Sequence, residues 1–142
     1  MSLPVAFWDS SALIPLCSQQ IQTERATGLF AVNGVAVWWA TSVEIVSGLT
    51  RLRRMGEVGE DDFLAGKEIL QIIAATWVSV RPSAKIASKA SSLLEIYPLR
   101  GADALQLAAA WEWCEGKPKG RVFLTFDQRL GDAAAQAGFT LK

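Results

Sequence analysis

The chain has 142 residues, about the size of one domain, with 51% hydrophobic and 20% charged residues, a balance that excludes disorder as its main state and can build a core without staples. Lys plus Arg and Asp plus Glu both total 14, so the formal net charge is zero, which excludes a generic nucleic-acid coat held by excess positive charge. There is no histidine, which excludes Ser-His-Asp hydrolysis, Cys-His proteolysis and histidine-paired ribonuclease chemistry.

Val5 to Trp8 is a short apolar run that predicts a buried strand, and Asp9-Ser10-Ser11 after it offers a helix N-cap. Helical patterns then fit Ser11 to Ser18 and Thr23 to Ala31. Asn33-Gly34 is a turn signal ahead of a second strand, Val35 to Trp39. Thr41 or Ser42 caps a helix running to about Met55, where Gly56 stops it. The next helix, from about Glu60 to Ala75, opens on three acids that suit its N-terminal dipole. Trp77 to Val80 is a third strand, closed by Pro82. Ser83 to Tyr97 is helical, with Ala84, Ala87, Ala90, Leu94 and Tyr97 at three- and four-residue spacings, and Pro98 ends it. Gly101 leads into an Ala- and Leu-rich helix through roughly Cys114, followed by the polar loop Gly116-Lys117-Pro118-Lys119-Gly120. Arg121 to Thr125 is a fourth strand, Asp127 to Ala137 a last helix, and Phe139 to Leu141 a short edge strand. No repeat or linker divides the sequence, so residues 1–142 read as a single domain. Strands apolar on both faces and separated by helices imply an α/β fold with a parallel sheet covered on both sides.

Cys17 and Cys114 lie far apart with no CxxC spacing, so they build neither a zinc site nor a disulfide framework. Two free thiols, no visible signal peptide and no apolar stretch near the ~20 residues of a membrane helix together suggest a soluble cytoplasmic protein.

Ligands of open parallel sheets bind beyond the carboxyl ends of the strands. Asp9 and Asp127 fall there, directly after the first strand and two residues past Leu124-Thr125. Glu44 and Asp103 stand out differently: each is an acid among apolar neighbours at the start of a helix, a costly position unless something compensates the charge. Singly, each has a plain structural explanation. Asp9 and Asp127 could cap helices, Asp103 could face a helix dipole, and Glu44 could pair with Arg51 or another cation. Together they point to a hard divalent cation, Mg²⁺ or Mn²⁺, because converging carboxylates would otherwise repel and oxygen-only ligands suit those ions. Such a cluster can activate water against a phosphodiester with no histidine.

These residues carry a resemblance. Phe7-Trp8-Asp9-Ser10-Ser11-Ala12-Leu13, Thr41-Ser42-Val43-Glu44-Ile45, the run from Leu99 to Ala110 around Asp103, and Leu124-Thr125-Phe126-Asp127-Gln128-Arg129-Leu130 resemble, in order, the four acidic motifs of the PIN-domain ribonucleases. In size the chain is most similar to the VapC toxins of bacterial and archaeal toxin–antitoxin pairs. The resemblance implies a PIN-like three-layer α/β/α sandwich with a four- to five-stranded parallel sheet. It also implies a Mg²⁺- or Mn²⁺-dependent endoribonuclease that cuts through a metal-activated water, leaving 5′-phosphate and 3′-hydroxyl ends. Asp9, Glu44 and Asp103 would bind the metal, and Asp127 would bind a second metal or position water. Ser10, Ser11 and Thr125 would tune the site by hydrogen bonding. The implied partners are an RNA substrate (tRNA, rRNA or mRNA), a cognate VapB-like antitoxin seated in a hydrophobic groove between early helices, and a second copy in a homodimer.

Arg51 and Arg54 share a helix face and could hold RNA or antitoxin, although cations favour a helix C-terminus anyway. Lys117, Lys119 and Arg121 form a second basic patch that reads as solvated. Of six tryptophans, Trp8, Trp38 and Trp77 read as core, and Trp39, Trp111 or Trp113 as available to a partner. A phosphorylated receiver module is disfavoured because the third strand ends without an Asp and no Lys follows the fourth. A haloacid-dehalogenase-type phosphatase would need an acid where Ser11 stands. The remaining rival is a PIN-like scaffold that binds RNA or protein without cutting.

Overall fold

In the computed structural model, which describes residues 2–142, the elements follow as β1 (Val5–Trp8), α1 (Ser10–Cys17), α2 (Thr23–Val32), β2 (Gly34–Trp38), α3 (Thr41–Arg54), α4 (Glu60–Ala74), β3 (Val78–Val80), α5 (Ala84–Ile96), α6 (Gly101–Trp113), β4 (Val122–Leu124), α7 (Gln128–Ala137) and β5 (Thr140–Leu141). All five strands run parallel in the order β3-β2-β1-β4-β5. Each expected element is present, with ends that agree or differ by one residue.

Alternation along the strands divides the core in two. Phe7, Ala36, Trp38 and Phe123 face one layer, where they pack with α5, α6 and α7. Ala6, Trp8, Val35, Val37 and Leu124 face the other, against α1, α3 and α4, with Leu29 and Phe30 of α2 at its margin. The result is a three-layer α/β/α sandwich. Small residues let the layers close: a Cβ at Gly66 of α4 would stand 2.6 Å from the Cys17 carbonyl oxygen, so that helix meets the end of α1 only as glycine. Gly138 closes α7 at φ 114, a conformation that L side chains rarely adopt.

One helix turns a different face inward than its spacing suggested. In α5 the buried residues are Ile86, Ala90 and Leu93, whereas Ala84, Ala87 and Leu94 are exposed. Both sets fit a helical period. The set carrying the bulkier Ile86 and Leu93 buries more apolar area and wins. Trp8 and Trp38 are core as expected, Trp77 is half-buried and Trp39 is exposed. Both cysteines are free and buried. Among the described residues no helix is long and apolar enough to cross a membrane.

The topology fixes where a ligand would sit. From β1 the sheet extends through β2 to β3 on one side and through β4 to β5 on the other. The crevice beyond the carboxyl ends of β1 and β4 is therefore the switch point at which such sheets bind ligands.

Candidate active site

Asp9 leaves β1 at this crevice, and its backbone N–H extends the ladder by donating to the Leu124 carbonyl at 2.9 Å. The residue is 5% exposed, and its carboxylate collects hydroxyl groups. Ser11 Oγ donates to Oδ2 at 2.6 Å and Thr125 Oγ1 donates to the same oxygen at 2.9 Å. Both hydroxyl oxygens in turn accept backbone N–H groups, Ser11 from Phe126 at 2.9 Å and Thr125 from Asp127 at 3.1 Å. That orients each hydroxyl proton toward Asp9. The Ser11–Thr125 contact at 3.0 Å then carries no proton of its own. Oδ2 is thus saturated, while Oδ1 has only a long approach from Ser10 Oγ at 3.4 Å.

Glu44 sits in the first turn of α3, half-buried. Among the described residues no cationic side chain is paired with it, and the pairing with Arg51 does not form. Its Oε1 instead accepts from Gln106 Nε2 at 2.8 Å, and the same Nε2 donates to Thr41 Oγ1 at 3.1 Å. Gln106 is buried on α6, and its Oε1 has no hydrogen-bond partner. An acceptor left unpaired in the interior is costly, and it persists here in the side chain that orients Glu44.

Burial pushes the Asp9 carboxyl above its ordinary range, against the hydroxyl bonds of Ser11 and Thr125, and the charge of Asp103 adds to the rise. Burial likewise raises Glu44, opposed by Gln106 and Ser10 and reinforced by Asp9 and Asp103. Three acids therefore feel one another. Asp103 lies in the first turn of α6, where one carboxylate oxygen accepts the Arg100 N–H at 3.4 Å. Asp127 caps α7 by accepting the Leu130 N–H at 2.9 Å, and is exposed. Asp103 and Asp127 line one cleft of ≈ 600 Å³ together with Arg100, Ala102, Gln128 and Arg129.

The donor set suits a hard divalent cation. It is all oxygen and partly desolvated, and among the described residues the ion pairs are Arg53–Glu60 and Lys85–Glu112, so none of these four acids is neutralised by a cationic side chain. The side chains do not close on a common point: among the described residues no three of Asp, Glu, Cys or His are grouped closely enough to hold an ion as they stand.

Three neighbours carry little signal in sequence. Gln106 interrupts an Ala- and Leu-rich run whose periodicity already buries that face, and a polar residue there was the available clue. Arg100 and Arg129 lie within the motifs around Asp103 and Asp127. Arg51 is elsewhere, lining a smaller cleft of ≈ 280 Å³ with Ser11, Ile14, Gln20, Gly48 and Leu52, and Arg54 is exposed at the end of α3. Arg121 lies over the Trp113 ring at 4.1 Å, whereas Lys117 and Lys119 are exposed.

A parallel α/β/α sandwich with acids gathered at its switch point defines the class. The chain belongs to the PIN domain family, whose model matches residues 6–136. Among curated proteins none matches the sequence. Solved structures similar in fold include a toxin–antitoxin complex from Klebsiella pneumoniae, at 20% identity and TM-score 0.62, covering 87% of this chain and 88% of that one. VapC20 of Mycobacterium tuberculosis, a toxin that cleaves the sarcin–ricin loop, aligns at 19% identity and TM-score 0.65 over 95% of this chain and 96% of its own. VapBC2 from Rickettsia felis, bound to a promoter DNA fragment, aligns at 11% identity and TM-score 0.65 over 97% of each chain. At these identities the likeness is one of fold.

Proposed function

We propose that residues 1–142 act as a single PIN domain of VapC type, a Mg²⁺- or Mn²⁺-dependent endoribonuclease that hydrolyses RNA phosphodiester bonds and is neutralised by a cognate VapB-like antitoxin. The observation that carries this reading is the desolvated pair Asp9 and Glu44, raised further by Asp103, with no cationic side chain paired to them. Asp9, Glu44 and Asp103 would hold the cation. When bound, it supplies Lewis acidity to a water and to the phosphodiester oxygens. Ser11 and Thr125 fix Asp9 Oδ2 and leave Oδ1 outward, Gln106 orients Glu44, and Ser10 faces both carboxylates. Asp127, with one oxygen spent on its helix cap, keeps the other for water or a second cation. Hydrolysis by an attacking water with loss of the 3′ oxygen leaves 5′-phosphate and 3′-hydroxyl ends.

The antitoxin reading is supported by an apolar cleft of ≈ 340 Å³ between α1, α2 and α4, lined by Leu16, Phe30, Ile69, Ile72, Ile73 and Thr76. Ile72 is 70% exposed, an apolar side chain left for a partner to cover. Trp39, just ahead of α3, and Val43 in its first turn are among the exposed apolar groups that a second copy could cover. Transfer, ribosomal and messenger RNA all suit the site.

Antitoxin-free protein incubated with total bacterial RNA and Mg²⁺ or Mn²⁺, against EDTA and Asp9→Asn controls, tests the reading. Discrete metal-dependent cuts bearing 5′-phosphate, absent in the variant, are the expected result. Intact RNA with folded, metal-loaded protein would overturn it in favour of a non-cutting scaffold that binds RNA or protein.

A further inference from the structure

The two helices that open onto the large cleft each bring it one acid and one guanidinium. Arg100 immediately precedes α6 and Asp103 lies in its first turn, while Asp127 caps α7 and Arg129 is its second residue. All four line the same cleft. The guanidiniums are nevertheless not spent on those carboxylates: among the described residues the ion pairs are formed by Arg53 and Lys85. Nor do they cover aromatic rings, as Arg25 does over Phe126, Arg53 over Phe63 and Arg121 over Trp113. Both are exposed.

Two free guanidiniums set beside unneutralised acids suit a ligand that is anionic at several points and can share a cation with the carboxylates. A phosphodiester strand has that character, and the planar fork of arginine donors matches phosphate oxygens. A strand carries a charge at every linkage, so neighbouring phosphates can meet both helices at once. The chain's zero net charge makes such local cations necessary for any RNA affinity.

We propose that Arg100 and Arg129 grip phosphates of the RNA strand on either side of the acids, one arm from each helix, and so position it in the cleft. This rests on the nuclease reading and names the side chains that orient its substrate. Because the helix-start bonds around Arg100 use its backbone N–H, the side chain is free for this role.

The test is fluorescence anisotropy with a labelled, mixed-sequence single-stranded RNA and the full Asp9→Asn chain in Mg²⁺, over a salt series. Adding Arg100→Ala or Arg129→Ala should weaken binding about tenfold at low salt and flatten the slope of log affinity against log salt by about 0.7 per residue. Arg→Lys at either position should restore the slope and only part of the affinity, because the charge returns without the fork. Melting temperatures should not change. Unchanged affinity and slope in both alanine variants would overturn the clamp, and so would weaker binding with an unchanged slope. No RNA binding by the Asp9→Asn chain, nor by the unsubstituted chain with Ca²⁺ in place of Mg²⁺, would overturn the nuclease reading and the clamp with it, an outcome distinct from the other two.

Discussion

The candidate site has an inner and an outer half built on different principles. In the inner half, Asp9 and Glu44 are withdrawn from water and held by side chains from distant parts of the chain: Thr125 reaches Asp9 across the β1–β4 boundary, and Gln106 of α6 reaches Glu44 of α3. In the outer half, Asp103 and Asp127 hold the starts of their own helices and face an open cleft with arginines beside them. The inner pair is costly to keep charged and rigidly oriented, which suits holding a cation. The outer pair opens onto the cleft, Asp127 exposed and Asp103 half-buried, and adjoins the cations a substrate strand needs. Preorganisation is thus concentrated where charge is hardest to stabilise.

The largest effect should come from Asp9→Asn, and it should carry opposite signs in two assays. Cleavage should fall by roughly 10²- to 10³-fold, the scale on which a preorganised charge counts in a transition state. The metal-free fold should become more stable, read as a rise in Tm, because a desolvated carboxylate is replaced by a neutral amide that can still accept from Ser11 and Thr125. Asp103→Asn should lower cleavage without that gain. Equal Tm changes in the two variants, read by calorimetry in EDTA, would erase the distinction between the halves.

Gln106→Leu comes next. It removes the donor that orients the Glu44 carboxylate, and with it the unpartnered Oε1. Mn²⁺ affinity by titration calorimetry should drop about 10- to 100-fold, as when the partner of a metal ligand is lost. The fold should survive, because an apolar side chain of similar size replaces an incompletely bonded amide. An unchanged affinity would mean that Glu44 is not a ligand.

The inner half also predicts a pH dependence. Asp9 and Glu44 are both raised above their ordinary values of 3.8 and 4.5, so the folded, metal-free chain binds protons more tightly than the unfolded one. Their contribution to stability is then fully present below those ordinary values and is lost as pH rises through the raised ones. A cation should reverse this by favouring the ionised forms. The Tm gain on adding Mg²⁺ should therefore grow across that interval and shrink in acid, where protons compete for the same oxygens. Combining Asp9→Asn with Glu44→Gln should remove both trends, and a flat Mg²⁺ effect in the unsubstituted chain would count against the inner pair as the cation site.

The legibility of the fold and the site divides along the same line. Apolar runs, caps and turn signals are local, and so every strand and helix could be placed from them. Asp9 and Asp127 could be picked out because they follow strand ends, and Glu44 and Asp103 because an ionised group on apolar ground is anomalous wherever it occurs. Which face α5 turns inward could not be read, since two sets of residues share its period and only packing against α6 decides between them. Gln106 and the two arginines were harder to read for a related reason: a polar residue on an apolar helix face marks Gln106 as unusual, but that it orients Glu44 depends on residues remote in sequence.

The smallest effect separates the two tasks of Asp127. Its Oδ1 accepts the Leu130 N–H, a cap that asparagine performs about as well as aspartate. Asp127→Asn should leave the melting temperature nearly unchanged, while Asp127→Ala should cost about 1 kcal/mol of stability through loss of the cap. If the remaining oxygen serves only the helix, cleavage should be equal in the asparagine variant and the unsubstituted chain. If its charge also positions water or a second cation, cleavage should fall in both variants alike, whatever their stability. Comparing the two by calorimetry and by initial cleavage rate tells a structural carboxylate from a chemical one at the position where the outer half meets the inner, since the backbone N–H of Asp127 is also the group that orients the Thr125 hydroxyl toward Asp9.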